Sequence, residues 1–139
     1  MPMTIVVDQL EGPRPIAVIS LAGELDASNF ERLIATVQQT YDAGARGLVL
    51  DLADLTFMAS SGLVALYSAA RIFRGEPAPD TDAGWQVFHD MQNDAEDTPN
   101  VRLAGTQEAV QRVLDRTGLS RLFTIDATAE TAVATLQGA

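Results

Sequence analysis

The adjacent hydroxyls of Ser60 and Ser61, followed by Gly62 and Leu63, stand at the start of a run patterned as a helix. Residues of this type at such a place can act as a nucleophile, as helix caps or as acceptors of a phosphoryl group. A serine nucleophile needs a base, and His89, the single histidine, lies in an acidic stretch well downstream. The sequence Met58-Ala59-Ser60-Ser61-Gly62 also lacks the G-x-S-x-G spacing of a nucleophile elbow. Cysteine is absent, which excludes a thiol nucleophile, disulfides and thiolate metal sites. All nine basic residues are arginines, so a P-loop lysine, a Schiff-base lysine and a lysine general base are excluded too. Asp26, Asp51 and Asp54 fall near strand ends, where α/β proteins often bind ligands and where three acids could hold Mg²⁺. Each has a local role that competes: Asp26 precedes a helix and Asp54 suits a turn. Only Gly12 and Gly23 precede the first helix, so no dinucleotide-binding glycine motif exists. The serine pair remains. One hydroxyl is expected to cap the following helix, leaving the other exposed. A phosphate there would add about −1.5 to −2 charges to a surface otherwise neutral at that point. The expectation is a switchable binding surface and not an enzyme, with no cofactor and no metal.

The elements that must position these serines are readable from patterning. Met3 to Asp8 and Ile16 to Leu21 read as strands around the Glu11-Gly12-Pro13 turn, a hairpin. Ser28 with Glu31 has the form of a capping box. Phe30, Leu33, Ile34, Val37 and Tyr41 then mark one face of a helix that Gly44 ends. Leu48 to Leu52 is a near-continuous apolar run, expected of a strand covered on both faces. A loop through Asp54, Leu55 and Thr56 is expected next, then a helix from about Ser61 to Phe73 burying Leu63, Leu66, Tyr67 and Ala70. Further on, Val101 to Ala104 reads as a strand, and Gln107 to Arg116 as a helix with Val110, Val113 and Leu114 inward. Gly118 stands at a left-handed C-cap, Leu122 to Ile125 reads as a strand and Ala129 to Leu136 as a helix. Strands alternating with helices after a hairpin define an α/β domain with a largely parallel sheet.

Charge is concentrated in one segment. The formal net charge is −10, yet seven of the nineteen acids (Glu76, Asp80, Asp82, Asp90, Asp94, Glu96 and Asp97) lie between Gly75 and Asn100, which holds no arginine. Such a balance argues against nucleic acid and anionic lipid as partners, since both require a basic stripe. The same segment carries Pro77, Pro79 and Pro99, and reads as an acidic, flexible insertion at about 75–100. Within it, Trp85 to Met91 suggests one or two helical turns docked by Trp85, Phe88 and Met91, with His89 solvated. No run of about 18 apolar residues exists, so no membrane span is expected. Met1 to Thr4 has no signal-peptide character, and a cytoplasmic protein is the expectation.

Three stretches, in order, resemble the STAS domain of bacterial anti-anti-sigma factors (anti-sigma factor antagonists). Ile19 to Asp26 ends in the G-E-L-D that leads into the family's first helix. Leu48 to Leu52, then Leu55 to Leu63, is similar to the family's strand and its D-S-S-G-L loop opening the second helix. Val110 to Phe123, with its run R-V-L-D-R-T-G-L-S-R-L-F, resembles the third helix and last strand. The resemblance implies one STAS domain over 1–139, with a mixed four- to five-stranded sheet and about four helices mainly on one face. It implies a bacterial phosphoprotein of transcription regulation that binds an anti-sigma factor serine kinase. Phosphorylation at Ser60, less readily Ser61, switches it off, and a phosphatase would reverse the mark. Asp26, Ser60, Ser61, Gly62 and Leu63 are the implied partner-binding residues. The acid that precedes the two serines in the family is replaced by Ala59. That departure leaves open a non-phosphorylated STAS subunit of a lipid-transport or sensory complex.

Overall fold

Alternating burial places the sheet between two apolar layers. In β2 (Ile16–Leu25), Ala17, Ile19, Leu21 and Leu25 enter the larger core, while Ile16 and Val18 belong to a second cluster on the opposite face. In β3 (Gly47–Met58), Leu48 and Leu50 take the first side and Val49 the second, as the two-residue period of a strand requires. The larger core is closed by α1 (Phe30–Asp42), α2 (Ser60–Phe73) and α4 (Glu108–Thr117). The second cluster is closed by α5 (Ala129–Gly138) through Ala132 and Leu136. The computed structural model describes residues 3–80, 85–94 and 98–138.

The sheet runs β1-β2-β3-β4-β5, with β1 (Met3–Leu10), β4 (Val101–Ala104) and β5 (Thr124–Asp126) completing it. β1 is antiparallel to β2 and every other pairing is parallel. This is the mixed α/β architecture expected, with five α-helices among the described residues where about four were expected. The extra one is α3 (Trp85–Asn93), inside the acidic segment. Gly118 does take the left-handed C-cap of α4, at φ 78°, a conformation that a Cβ would strain. The chain after it makes a 3₁₀ turn over Leu119–Leu122, so the last strand begins at Thr124 and not at Leu122.

Helix α3 docks by Met91, as its sequence suggested, and by Val87 in place of Phe88. Val87 and Met91, one helical turn apart, are buried, whereas Phe88 is 37% exposed. Phe88 lies about 100° around the helix from Val87 and so leaves the stripe that faces the core. His89 is exposed on this helix and not on a loop, beside Asn93. The side chain of Trp85, and Asp82, Glu96 and Asp97, lie outside the described residues.

Polar contacts fasten the end of α3. Asp94 accepts the Tyr67 hydroxyl at 2.9 Å and both terminal nitrogens of Arg74 at 3.2 and 2.9 Å. Arg121 donates to the carbonyls of Met91, Gln92 and Asp94, satisfying backbone groups that a helix C-terminus leaves open. Burial, then the Asp94 carboxylate, pushes the Tyr67 phenol up from 10.0 to about 12. A raised phenol pKa contributes stability in full below pH 10, lost as the pH rises towards 12. Asp94→Ala is expected to cost about 2 kcal/mol in urea unfolding, because it removes the acceptor of the Tyr67 hydroxyl and the nearer of the two carboxylates beside Arg74 in a mostly buried pocket. The same change should lower the pH at which the Tyr67 phenol ionises, read by ultraviolet titration against Tyr67→Phe.

Candidate functional site

Parallel pairing of the ends of β2 and β3 builds the site. Gly23 lies opposite Leu55, Glu24 opposite Phe57 and Leu25 opposite Met58. Register shifts between Ser20 and Ala22 and between Gly23 and Glu24 give β3 extra residues without ending the pairing. The stretch Asp54-Leu55-Thr56 is therefore strand and not loop. Leu55 is fully buried and the Thr56 hydroxyl donates to the Gly23 carbonyl at 3.1 Å. Beyond Met58, the Ala59 N–H donates to the Leu25 carbonyl at 2.9 Å. That bond joins the start of α2 to the end of β2 and brings the Asp26 turn alongside Ser60.

Helix α2 begins at Ser60, with Ala59 as its N-cap in extended backbone (φ −81°, ψ 173°). A capping oxygen has to come from that extended residue, and alanine has none. The expected cap by Ser60 or Ser61 is accordingly not made. Ser60 is exposed and Ser61 half-buried, and neither hydroxyl has a hydrogen-bond partner among the described residues. Gly62 packs beneath them. A Cβ there would lie 2.4 Å from Met58 Cγ and 3.1 Å from Leu25 Cγ and Cδ2, so the first turn of α2 sits against both strand ends only because this residue is glycine. Leu63 is 4% exposed, and Gly62 and Leu63 form the floor of the tip below its exposed rim. Leu63 also lines a cavity of about 260 Å³ shared with Phe88, Met91, Leu119 and Arg116.

The neighbouring turn is held by Asp26 and Asn29. The Asp26 carboxylate accepts the Ser28 N–H at 2.9 Å and the Ser28 hydroxyl at 2.5 Å, and these bonds, the hydroxyl first, hold it below the usual carboxylate range. Asn29 accepts the Asp26 N–H at 2.9 Å and donates to the Glu24 carbonyl at 2.8 Å. Asn29, not Ser28, is the N-cap residue of α1, and its side chain ties the turn and does not cap the helix. The Ser28–Glu31 capping box is thus absent, since Asp26 has taken the Ser28 hydroxyl. Asn29, at 8% exposure, was passed over in the sequence, although an asparagine directly before Phe30 fits a helix start. Phe57 was also missed: it is 48% exposed between the inward-facing Leu55 and Met58.

Asp51 and Asp54 do not join Asp26. Asp51 lies midway along β3, where it accepts the Ala53 N–H at 3.1 Å. Among the described residues no three acidic or histidine side chains are grouped to hold a metal ion. Nor, among them, is any helix long and apolar enough to cross a membrane.

Residues 10–78 match the family model described as "Mlab, STAS domain". No curated protein matches the chain in sequence. Solved structures match it over nearly its whole length. An anti-sigma factor antagonist from Mycobacterium paratuberculosis superposes with TM-score 0.69 at 20% identity, covering 98% of this chain and 95% of that one. The anti-sigma factor antagonist SpoIIAA in its unphosphorylated form gives 0.68 at 22% identity, covering 96% and 98%. The Bacillus cell fate determinant SpoIIAA in its phosphorylated form gives 0.59 at 21%, covering 94% and 99%. Residues 10–78 are thus similar to STAS domains, and the chain has the SpoIIAA-like STAS fold.

The depressed Asp26 pKa gives the turn a pH signature. A carboxylate lowered by folding stabilises the turn above its unfolded pKa, and that contribution is lost as the pH falls through the folded value. Ser28→Ala is expected to raise the Asp26 pKa, measured by NMR titration of its carboxyl carbon, with no change in overall fold.

Proposed function

We propose that the chain is an anti-sigma factor antagonist whose Asp26–Ser60 tip docks on an anti-sigma factor serine kinase. Phosphorylation of Ser60 by that kinase switches the contact off, and a phosphatase restores it. Such a partner places the protein in the cytoplasm. One observation carries this reading: the Ser60 hydroxyl is exposed and unbonded at the first position of a helix whose start is pinned to the neighbouring strand. The fold shared with structures described as anti-sigma factor antagonists, one of them in phosphorylated and unphosphorylated forms, supports it.

The physical effect falls on the partner and not on the domain. A phosphate on Ser60 meets the N-terminal end of α2, where negative charge is favourable by about 0.3–1 kcal/mol. A partner pressed against the same tip has to desolvate about −1.5 to −2 charges beside Asp26. If the contact is buried, that costs roughly 1–3 kcal/mol of binding. The chain performs no turnover in this scheme; it is a substrate for the kinase and a ligand of it. A second reading, a STAS subunit of a lipid-transport or sensory complex that is bound but never phosphorylated, is favoured by Ala59, which removes the carboxylate beside Ser60.

Incubation with the cognate kinase and Mg·ATP decides between them. Intact-mass analysis is expected to show one phosphate, lost in Ser60→Ala. Ser60→Asp should weaken kinase binding by about 5- to 150-fold, the equivalent of 1–3 kcal/mol. No added phosphate, with Ser60→Asp binding unchanged, would leave the non-phosphorylated reading.

A further inference from the structure

We infer that β1 is a self-association edge, through which two copies pair antiparallel about Val6 and join their sheets into one. Among the described residues β1 is the outermost strand of the sheet, with no partner on its outer side. It is long and regular. All eight residues from Met3 to Leu10 pair with β2 in unbroken register, and both register shifts of the hairpin-side strands lie on the β2–β3 seam. Devices that usually blunt an edge, such as proline, lysine or a bulge, are missing from it. The opposite edge is managed differently: β5 has three residues, and Asp126 at its end is tied to Arg102 at 2.7 Å.

Exposed apolar side chains lie on both faces of this edge. Val6 is 50% and Val7 38% exposed, two of the four exposed large hydrophobic side chains among the described residues. Val7 pairs with Ile19 and so shares the side of the larger core, while Val6 pairs with Ser20 and shares the side of α5. Arg32 occupies only the start of the strand, where it donates to the Met3 carbonyl at 3.0 Å. From Thr4 to Gln9 every residue but the half-buried Ile5 is exposed.

Symmetry selects the occupant and the register. Along one edge only alternate residues turn their N–H and C=O outward, so two identical strands pair antiparallel only when opposed residues have the same parity. The two-fold axis then passes through a residue. With Asp8 on the axis, two carboxylates would face each other. With Val7 on it, Val6 would face Asp8. With Val6 on it, Val6 faces Val6, Ile5 faces Val7 and Thr4 faces Asp8, which sets apolar against apolar and a hydroxyl against a carboxylate. Asp8, the single charge of the strand, then lies about 13 Å from its symmetry mate along the strand direction. Seven residues from each chain make an interface below the standard size, so the dimer is weak and concentration-dependent. The net charge of −10 opposes it at long range, and salt that screens this repulsion strengthens it.

The absence of cysteine permits a direct test. Opposed residues on paired strands have Cα atoms about 4.5–5.5 Å apart, within disulfide range. Oxidised Val6→Cys is expected to run as a covalent dimer, whereas oxidised Asp8→Cys is expected to stay monomeric. Sedimentation equilibrium of the unmodified chain should show a monomer–dimer equilibrium that shifts to dimer with salt. Val6→Lys, which sets two ammonium groups face to face, should be monomeric with an unchanged circular dichroism spectrum. Equal cross-linking at positions 6 and 8 would overturn the register. A monomer at all concentrations with no cross-link at position 6, or open-ended oligomers in place of a dimer, would overturn the proposal.

Discussion

The hydrogen bond from the Ala59 N–H to the Leu25 carbonyl, at the end of two parallel strands, fixes everything that follows it in the site. It closes the β2–β3 pairing one residue past Met58 and sets where α2 can begin. The bond is possible because Gly62 lets the helix approach Leu25 and Met58 to within van der Waals contact. A helix so placed is buried around nearly its whole circumference, between the sheet, α1, α3 and the 3₁₀ turn. Every residue of α2 from Gly62 to Ala70 is buried, and only its first residue emerges fully into solvent. Ser60 is thus at the surface through the tight fit of what lies beneath it.

A rigid support suits the proposed contact, which a single phosphate would make or break. The Asp26 turn is held by its own hydrogen bonds to Ser28 and Asn29, and the Ser60 turn by the strand junction, so neither needs a partner to order it. Binding to a preformed surface avoids the entropy of ordering it, and a charge added there is not relieved by rearrangement. Helix α3 lies at the far side of the cavity floored by Leu63, fastened by Asp94 and Arg121. The acidic segment therefore contributes a structured wall beside α2 among the described residues, with Phe88 exposed on it.

The sequence carried the architecture because strand and helix periods are local properties. The alternation in Ile16–Leu21, the apolar face from Phe30 to Tyr41 and the glycine after α4 each act within a few residues, and each has its expected place. Misreadings arose where a distant partner decides. β3 runs on through Asp54-Leu55-Thr56 because β2, some thirty residues earlier, supplies the pairing and tolerates the added residues. Ser28 and Glu31 satisfy a capping-box pattern, but the Asp26 carboxylate competes for the same hydroxyl and wins it. At the serine pair the error was a single position: the cap falls on Ala59, so both hydroxyls are left over where only one was expected. Phe88 is aromatic but lies off the docked stripe of α3, which is set by the side that meets the core and carries Val87 and Met91. The roles proposed for Asp26, Ser60 and Ser61 rest on family resemblance; the pairing of Leu25 with Met58 makes the Asp26 turn and the start of α2 leave from neighbouring strand ends.

Hydrogen exchange at three successive amides tests the strand junction most directly. The Ala59 amide, bonded to Leu25, is expected to exchange as slowly as the central amides of β3, while those of Ser60 and Ser61, at an uncapped helix start, exchange rapidly. An Ala59 amide exchanging as fast as its two neighbours would contradict a pinned tip, and with it the account of why Ser60 stands exposed.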